Sequence, residues 1–277
     1  MKKKTISINY PVIANFGDLL NEDIIQELFM CKVTKKGALS ADLSAIGSSL
    51  AECQYSSSLK LRIRQFVYGN ILCPTIHVWG TGFISYEENP RTFFHRDTIF
   101  SAVRGELTKK RVEKMLGKKL DIPTGDGGLL SSLLLKTPIK KKYTVGVIAH
   151  FREQNEPYFQ NLLDNYDNST FIDVRKSPKE VISHIAECEV IISSSLHGLI
   201  VSDSLRIPNI HVKVSTNLIG DGYKFDDYYS GYGINHNFIV GKDNHIPSVE
   251  WIKTNYKITD KMVEQKQKQL IDAFPFK

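Results

Sequence analysis

An α/β fold of two Rossmann-like parallel-sheet domains facing one cleft is predicted from three observations. Residues 189–212, EVIISSSLHGLIVSDSLRIPNIHV, read as a strand, a polar turn, a helix and a second strand. Apolar runs that end in glycine-, serine- or histidine-bearing turns alternate with amphipathic stretches on both sides of that unit. The stretch Thr137-Pro138-Ile139, followed by Lys140, Lys141 and Lys142, breaks the chain between two patterned halves. The expected division is a domain over 1–137, a domain over 138–255, and a C-terminal helix over 256–277 packing across both.

In chain order, Ile6, Ile8 and Tyr10 suggest a first strand, and Asn15-Phe16-Gly17-Asp18 opens a helix carrying Leu20, Ile24, Ile25 and Leu28. Gly17 allows close approach of a ligand, and Asp18 can cap the helix; a plain capped loop fits the same residues. Residues 43–46 run into Gly47-Ser48, and 76–79 into Gly80-Thr81-Gly82, both strand-to-turn patterns. Between them, 59–68 reads as a surface helix or loop carrying Arg62 and Arg64. Residues 97–103 form a strand ending in Arg104-Gly105-Glu106, where a guanidinium can reach phosphate or pair with Glu106 or Asp126. A basic helix follows over 107–116, then Gly125-Asp126-Gly127-Gly128 and an apolar helix over 129–135.

In the second half, 143–149 form a central strand ending in His150-Phe151-Arg152. A helix over 156–163, a strand over 170–174 and a helix over 178–187 lead to the 189–212 unit. There Ser193, Ser194, Ser195, His197 and Gly198 lie at the carboxyl end of a strand, where parallel sheets bind ligands and helix N-termini attract anions. The serines serve equally well as caps. Residues 217–233, NLIGDGYKFDDYYSGYG, read as a loop whose Lys224, Asp226, Asp227, Tyr228 and Tyr229 suit a sugar or an anion. A final amphipathic helix covers 258–274.

Hydrophobic residues make up 42% and charged residues 24% of the 277, an ordinary globular balance. The net charge of +6 suits anionic ligands or an anionic membrane face and is too mild to indicate nucleic acid. No apolar run approaches the ~20 residues of a membrane span, and the basic start lacks the apolar core of a signal peptide. Cys31, Cys53, Cys73 and Cys188 have neither metal-ligand nor disulfide spacing, so a reduced cytoplasmic setting is expected.

Seven motifs together resemble the polysaccharide pyruvyl transferase family. They are Asn15-Phe16-Gly17-Asp18, Gly80-Thr81-Gly82, Ser101-Ala102-Val103-Arg104-Gly105, Gly125-Asp126-Gly127-Gly128, Val145-Gly146-Val147-Ile148-Ala149-His150, Ser193-Ser194-Ser195-Leu196-His197-Gly198 and Lys224-Phe225-Asp226-Asp227-Tyr228-Tyr229. They run in the family's order from residue 15 to about 230. One position departs: many members carry arginine two residues before the motif histidine, where this chain has Ser195.

The resemblance implies a glycosyltransferase-B-like fold and transfer of pyruvate from phosphoenolpyruvate, as co-substrate, onto a sugar of a surface polysaccharide or its lipid-linked precursor. It implies no metal and no redox cofactor, a cytoplasmic location, and peripheral contact with the inner membrane face where the acceptor is lipid-linked. On this reading His197 and His150 are the acid/base candidates. Arg104, Ser193, Ser194, Ser195, Gly198 and Lys224 bind the donor. Asn15, Gly17, Asp18, Thr81, Asp126, Asp227 and Tyr228 hold or position the acceptor. Two other readings share the architecture: a glycosyltransferase using a nucleotide sugar, and a non-catalytic sugar- or anion-binding homologue.

Overall fold

A computed structural model describes residues 4–10, 15–86, 93–215, 220, 222–241 and 245–277. The first half runs β1 (Thr5–Asn9), α1 (Phe16–Leu28), β2 (Lys32–Lys35), β3 (Leu43–Ser44), α2 (Leu59–Val67), β4 (Thr75–Trp79), β5 (Asp97–Ala102) and α3 (Glu106–Leu116). A 3-10 helix, Gly127–Leu134, stands where an α-helix was expected over 129–135. The second half runs β6 (Tyr143–Ile148), α4 (Pro157–Asn165), β7 (Ser169–Phe171), α5 (Pro178–Ala186), β8 (Cys188–Ser193), α6 (Leu196–Ser204), β9 (Asn209–Lys213), α7 (Tyr223–Ser230) and β10 (Phe238–Val240). Helices α8 (Val249–Asn255) and α9 (Asp260–Asp272) follow.

Each half carries one five-stranded, wholly parallel sheet, ordered β2-β1-β3-β4-β5 and β10-β9-β8-β6-β7. Taken from its own first strand, each has the order 2-1-3-4-5, so the winding direction reverses between β1 and β3 and between β6 and β8. Those reversals open crevices at the strands' carboxyl ends. The apolar runs of β6 and β8 follow from burial on both faces: Val145, Val147, Val190 and Ile192 face one layer, and Ile148 and Ile191 the other.

The two sheets share one core. A single buried cluster runs from Ile8, Leu20 and Trp79 through Ile148 and Leu199 to Phe225 and Leu270. The Phe16 amide donates to the Val174 carbonyl at 2.9 Å, tying the start of α1 to the second half. Helix α9 touches both halves. Trp79 Nε1 donates to the Leu270 carbonyl at 2.9 Å, and Arg206 Nη2 to Gln267 Oε1 at 3.1 Å. The arrangement is one Rossmann-like parallel sheet in each half, the two set about a cleft.

Strands β2 and β10 and helix α8 were not expected. Both strands are sheet edges of three or four residues, and KVTK in β2 is charged and mostly exposed, so neither shows the buried apolar pattern of a central strand. The expected loop over 217–233 is corrected from residue 222 onward: α7 buries Tyr223, Phe225, Asp227 and Tyr228. Residues 217–219 and 221 of that segment lie outside the described residues.

Candidate active site

Both winding reversals open onto one cleft of about 220 Å³. Asn15 and Asp18 line it from the turn after β1, and Ser48, Ser49 and Glu52 from the turn after β3. His150, Phe151 and Arg152 come from the end of β6, and Ser195, Leu196 and His197 from the end of β8. Lys224 on α7 and Ile84 complete the wall. Helices α1 and α6, one from each half, start at this cleft; the Phe16 and Asp18 amides of α1 are taken by the Val174 and Asn15 carbonyls, and α6 brings its first N–H groups to the cleft.

His197 sits in the first turn of α6, where burial and the nearby charges of Lys224, Arg104 and His150 hold its pKa down to about 3. Its Nε2 is enclosed and lies 4.0 Å from Asp126 Oδ2, and neither atom has a hydrogen bond among the described residues. Nδ1 lies against Gly17, where a Cβ would come within 2.1 Å of it. Phe16 meets the ring edge-on at 6.5 Å. Asp126 caps the 3-10 helix, its Oδ1 accepting from the Gly128 amide at 2.8 Å; burial raises its carboxyl to about 7. At 4.0 Å the two atoms are too far apart for a hydrogen bond, and burial favours the neutral form of each group.

His150 is likewise held down to about 3 by burial, with Lys224 and Arg152 adding to the effect. Its amide donates to Ser194 Oγ at 2.8 Å, and its Nδ1 accepts from the Arg152 amide at 3.3 Å. Burial, with Arg104 next, lowers Lys224 to about 8. Burial also raises Asp18 to about 6, against the hydrogen bond that Asn15 Nδ2 donates to its Oδ2 at 3.2 Å. A cleft lined by Lys224, Arg152 and two neutral histidines is prepared for an anion that would draw protons in with it.

The structure brings His197, His150, Ser195, Lys224, Asn15 and Asp18 onto the wall, with Gly17 and Asp126 directly behind His197. Arg104 needs correction. No part of its side chain is exposed, its Nε donates to Asp227 Oδ2 at 2.9 Å, and its other nitrogens donate to Ser48 Oγ at 2.6 Å and to the Phe83 carbonyl. With those donors engaged, it supports the wall through Ser48 and does not present a cation to a ligand.

Asp227 is taken up by Arg104 and by the amide and hydroxyl of Thr108, both at 2.7 Å, so it holds no acceptor here. Tyr228 faces away from the cleft, its hydroxyl donating to Asp203 Oδ2 at 2.6 Å. Thr81 is buried behind Ser49 and donates to the Gly47 carbonyl at 3.0 Å. Ser193 Oγ closes a ring with the Ser195 backbone, Ser194 Oγ holds the His150 amide, and Gly198 packs against Ser193. Of the serine triplet only Ser195 reaches the cleft.

Arg152, Ser48, Ser49 and Glu52 were missed as site residues. Arg152 lies two residues beyond His150, and Ser48 directly follows a glycine at a strand end, so position alone could have flagged both. Glu52 is engaged by Asn9 Nδ2 at 2.9 Å, a contact over 43 residues that no local pattern signals.

Fold and cleft define a two-sheet α/β protein with a cleft at paired strand ends that His150, His197, Arg152 and Lys224 help to line. The chain belongs to the polysaccharide pyruvyl transferase family, whose model matches residues 4–216. It is 25% identical over 160 residues to the succinoglycan biosynthesis protein ExoV of Rhizobium meliloti (strain 1021), covering 57% of this chain and 48% of that one. It is 27% identical over 162 residues to uncharacterized protein L143 of Acanthamoeba polyphaga mimivirus, covering 57% and 54%. The matched stretch thus spans about half the length of each relative. A crystal structure of KP1_0663 from Klebsiella pneumoniae subsp. pneumoniae NTUH-K2044 superposes with a TM-score of 0.50 at 14% identity, covering 86% of this chain and 92% of that one. That likeness is one of fold.

Proposed function

We propose that the protein transfers the pyruvyl group of phosphoenolpyruvate onto a sugar of a bacterial surface polysaccharide or of its lipid-linked precursor, forming a cyclic ketal and releasing phosphate. One observation carries the reading: in a chain of this family, the N-terminus of α6, Lys224, Arg152, His150 and His197 line a single cleft of about 220 Å³.

The donor carries a phosphate and a carboxylate on neighbouring atoms. The start of α6 with Ser195 suits one anionic group, and Lys224 with Arg152 the other. A proton adds to the terminal enol carbon, leaving oxocarbenium-like charge on the central carbon. One sugar hydroxyl bonds to that carbon and gives up its proton. The carbon–oxygen bond to phosphate then breaks, and phosphate leaves with the electron pair and a proton. A second hydroxyl bonds to the same carbon and is deprotonated. Two protons leave the hydroxyls; one ends on carbon and one on phosphate.

His197, backed by Asp126, is the general acid/base or the donor to the departing phosphate, and His150 is its counterpart. Both rings are neutral in the free protein, and the donor's negative charge opposes the repulsion that Lys224 imposes on them, raising their proton affinity on binding. Asn15 and Asp18 position the acceptor hydroxyls. Capsule, O-antigen and exopolysaccharide repeats all offer such hydroxyls. The reading requires no metal or redox cofactor and assigns the reaction to the cytoplasm.

Calorimetric titration with phosphoenolpyruvate, with nucleotide sugars alongside, tests this without an identified acceptor. Saturable phosphoenolpyruvate binding is expected, with proton uptake seen as a heat that varies with the buffer. Lys224→Met is expected to weaken it at least tenfold by removing a charge partner of the anion. Nucleotide-sugar binding without phosphoenolpyruvate binding would replace the reading with the glycosyltransferase one.

A further inference from the structure

We propose that α2 and the turn after it form a surface that docks onto an anionic lipid bilayer. The helix and the π-helical turn Tyr68–Leu72 read LKLRIRQFVYGNIL, with three basic residues and no acidic one. Leu59, Ile63 and Phe66 are 73%, 61% and 58% exposed, and Val67, Ile71 and Leu72 are exposed with them.

The burial pattern sets the orientation. Gln65 is the buried residue of α2; its Oε1 accepts from the Ser56 amide at 2.8 Å and its Nε2 donates to the Gln54 carbonyl at 3.0 Å. At 100° per residue, Leu59, Ile63, Phe66 and Val67 form one stripe on the side turned away from Gln65. Arg62 flanks that stripe on one side, and Lys60 and Arg64 on the other. Behind the turn, Gly69 abuts the His95 carbonyl so closely that a Cβ would come within 1.9 Å of it. The apolar side chains thus stand outward on an element pinned from beneath.

An outward apolar stripe between basic flanks matches a helix lying in a bilayer interface, where leucine, isoleucine and phenylalanine enter the acyl boundary and lysine and arginine meet anionic headgroups. A second copy of the chain fits less well, because a two-fold contact through this face would set one basic row against its equivalent.

The test is co-sedimentation with vesicles of phosphatidylcholine alone and of phosphatidylcholine with about one third phosphatidylglycerol. Binding to the anionic vesicles is expected, falling as salt is added. Ile63→Ser/Phe66→Ser and Arg62→Glu/Arg64→Glu are each expected to weaken it roughly tenfold or more, with phosphoenolpyruvate affinity and thermal midpoint unchanged. Phe66→Trp is expected to shift its emission to the blue with anionic vesicles. Absence of vesicle binding, or equal binding by all variants, would overturn the proposal. So would a dimer in light scattering that Ile63→Ser/Phe66→Ser converts to monomer, which would give this face to a second copy.

Discussion

Replacing Asp126 by asparagine separates a carboxyl that holds its proton from one that forms an ion pair with His197. Its side chain is fully buried, its Oδ1 accepts one hydrogen bond, and its Oδ2 faces a histidine that is itself neutral at ordinary pH. Raising the pKa from 3.8 to about 7 makes the ionised form cost about 4 kcal/mol, at about 1.4 kcal/mol per tenfold change in proton affinity. The folded chain holds this proton more tightly than the unfolded chain. The carboxyl's contribution to stability is therefore complete below about pH 4 and is lost as pH rises through about 7.

Asparagine keeps the acceptor for the Gly128 amide and cannot ionise. Asp126→Asn is therefore expected to be more stable than the parent above pH 7. Its advantage at about pH 8.5 should exceed that at about pH 5.5 by about 2 kcal/mol, because at the lower pH only part of the ionisation cost has accrued. The assay is urea unfolding of both proteins at the two pH values, read from their midpoints and slopes. The histidines that titrate between these values are present in both proteins and cancel to first order. An advantage independent of pH would mean that Asp126 is ionised in the folded chain across this range, and a deficit at about pH 5.5 that shrinks as pH rises would mean an ion pair with protonated His197; either result would end the account of Asp126 as a carboxyl that holds its proton.

Gly17→Ala is expected to cost about 1–3 kcal/mol, because its Cβ would overlap the His197 ring, and most of this cost should vanish in a His197→Gly background, which also removes the His197 Cβ at 2.9 Å. An undiminished cost in that double variant would remove His197 as the reason for glycine there. Asp227→Asn should cost about 3–5 kcal/mol in urea unfolding, since it leaves the Arg104 charge buried without its partner. A loss under about 1 kcal/mol would show the pair to be dispensable.

The sequence revealed where strands end, because apolar runs stopping at glycine, serine or histidine follow from strand burial and turn geometry. His150, His197, Ser195, Asn15 and Asp18 were found that way, and they do reach the cleft. It could not reveal which way a side chain at such a position turns. Ser193, Ser194 and Ser195 are equivalent as letters, yet two of them are consumed by backbone and one faces the cleft. Nor could it reveal partners supplied from far along the chain. Arg104 looks like a free cation until Asp227, 123 residues later, is brought beside it. The loop reading of residues 217–233 failed for a related reason: tyrosine, aspartate and glycine suggest solvent, but here the tyrosine bodies pack into the core while Asp227 is neutralised.

That buried pair also accounts for two of the motif glycines. A Cβ on Gly82 would come within 2.7 Å of the Arg104 guanidinium and of Asp227 Oδ2, and one on Gly105 within 1.7 Å of the Asp227 carbonyl oxygen. The Gly-Thr-Gly and Arg-Gly stretches are therefore shaped by a joint between halves, where α7 of the second meets the turns after β4 and β5 of the first. The joint bears on the site by two routes. Arg104 Nη1 fixes Ser48 Oγ on the cleft wall, and the Arg104 charge contributes to lowering His197 and Lys224 through the wall. A residue with no exposed side-chain atom thus helps to set the shape of the cleft and the protonation of the groups facing it. Those effects come from the chain's own groups, so they belong to the preorganisation of the cleft rather than to contact with a ligand.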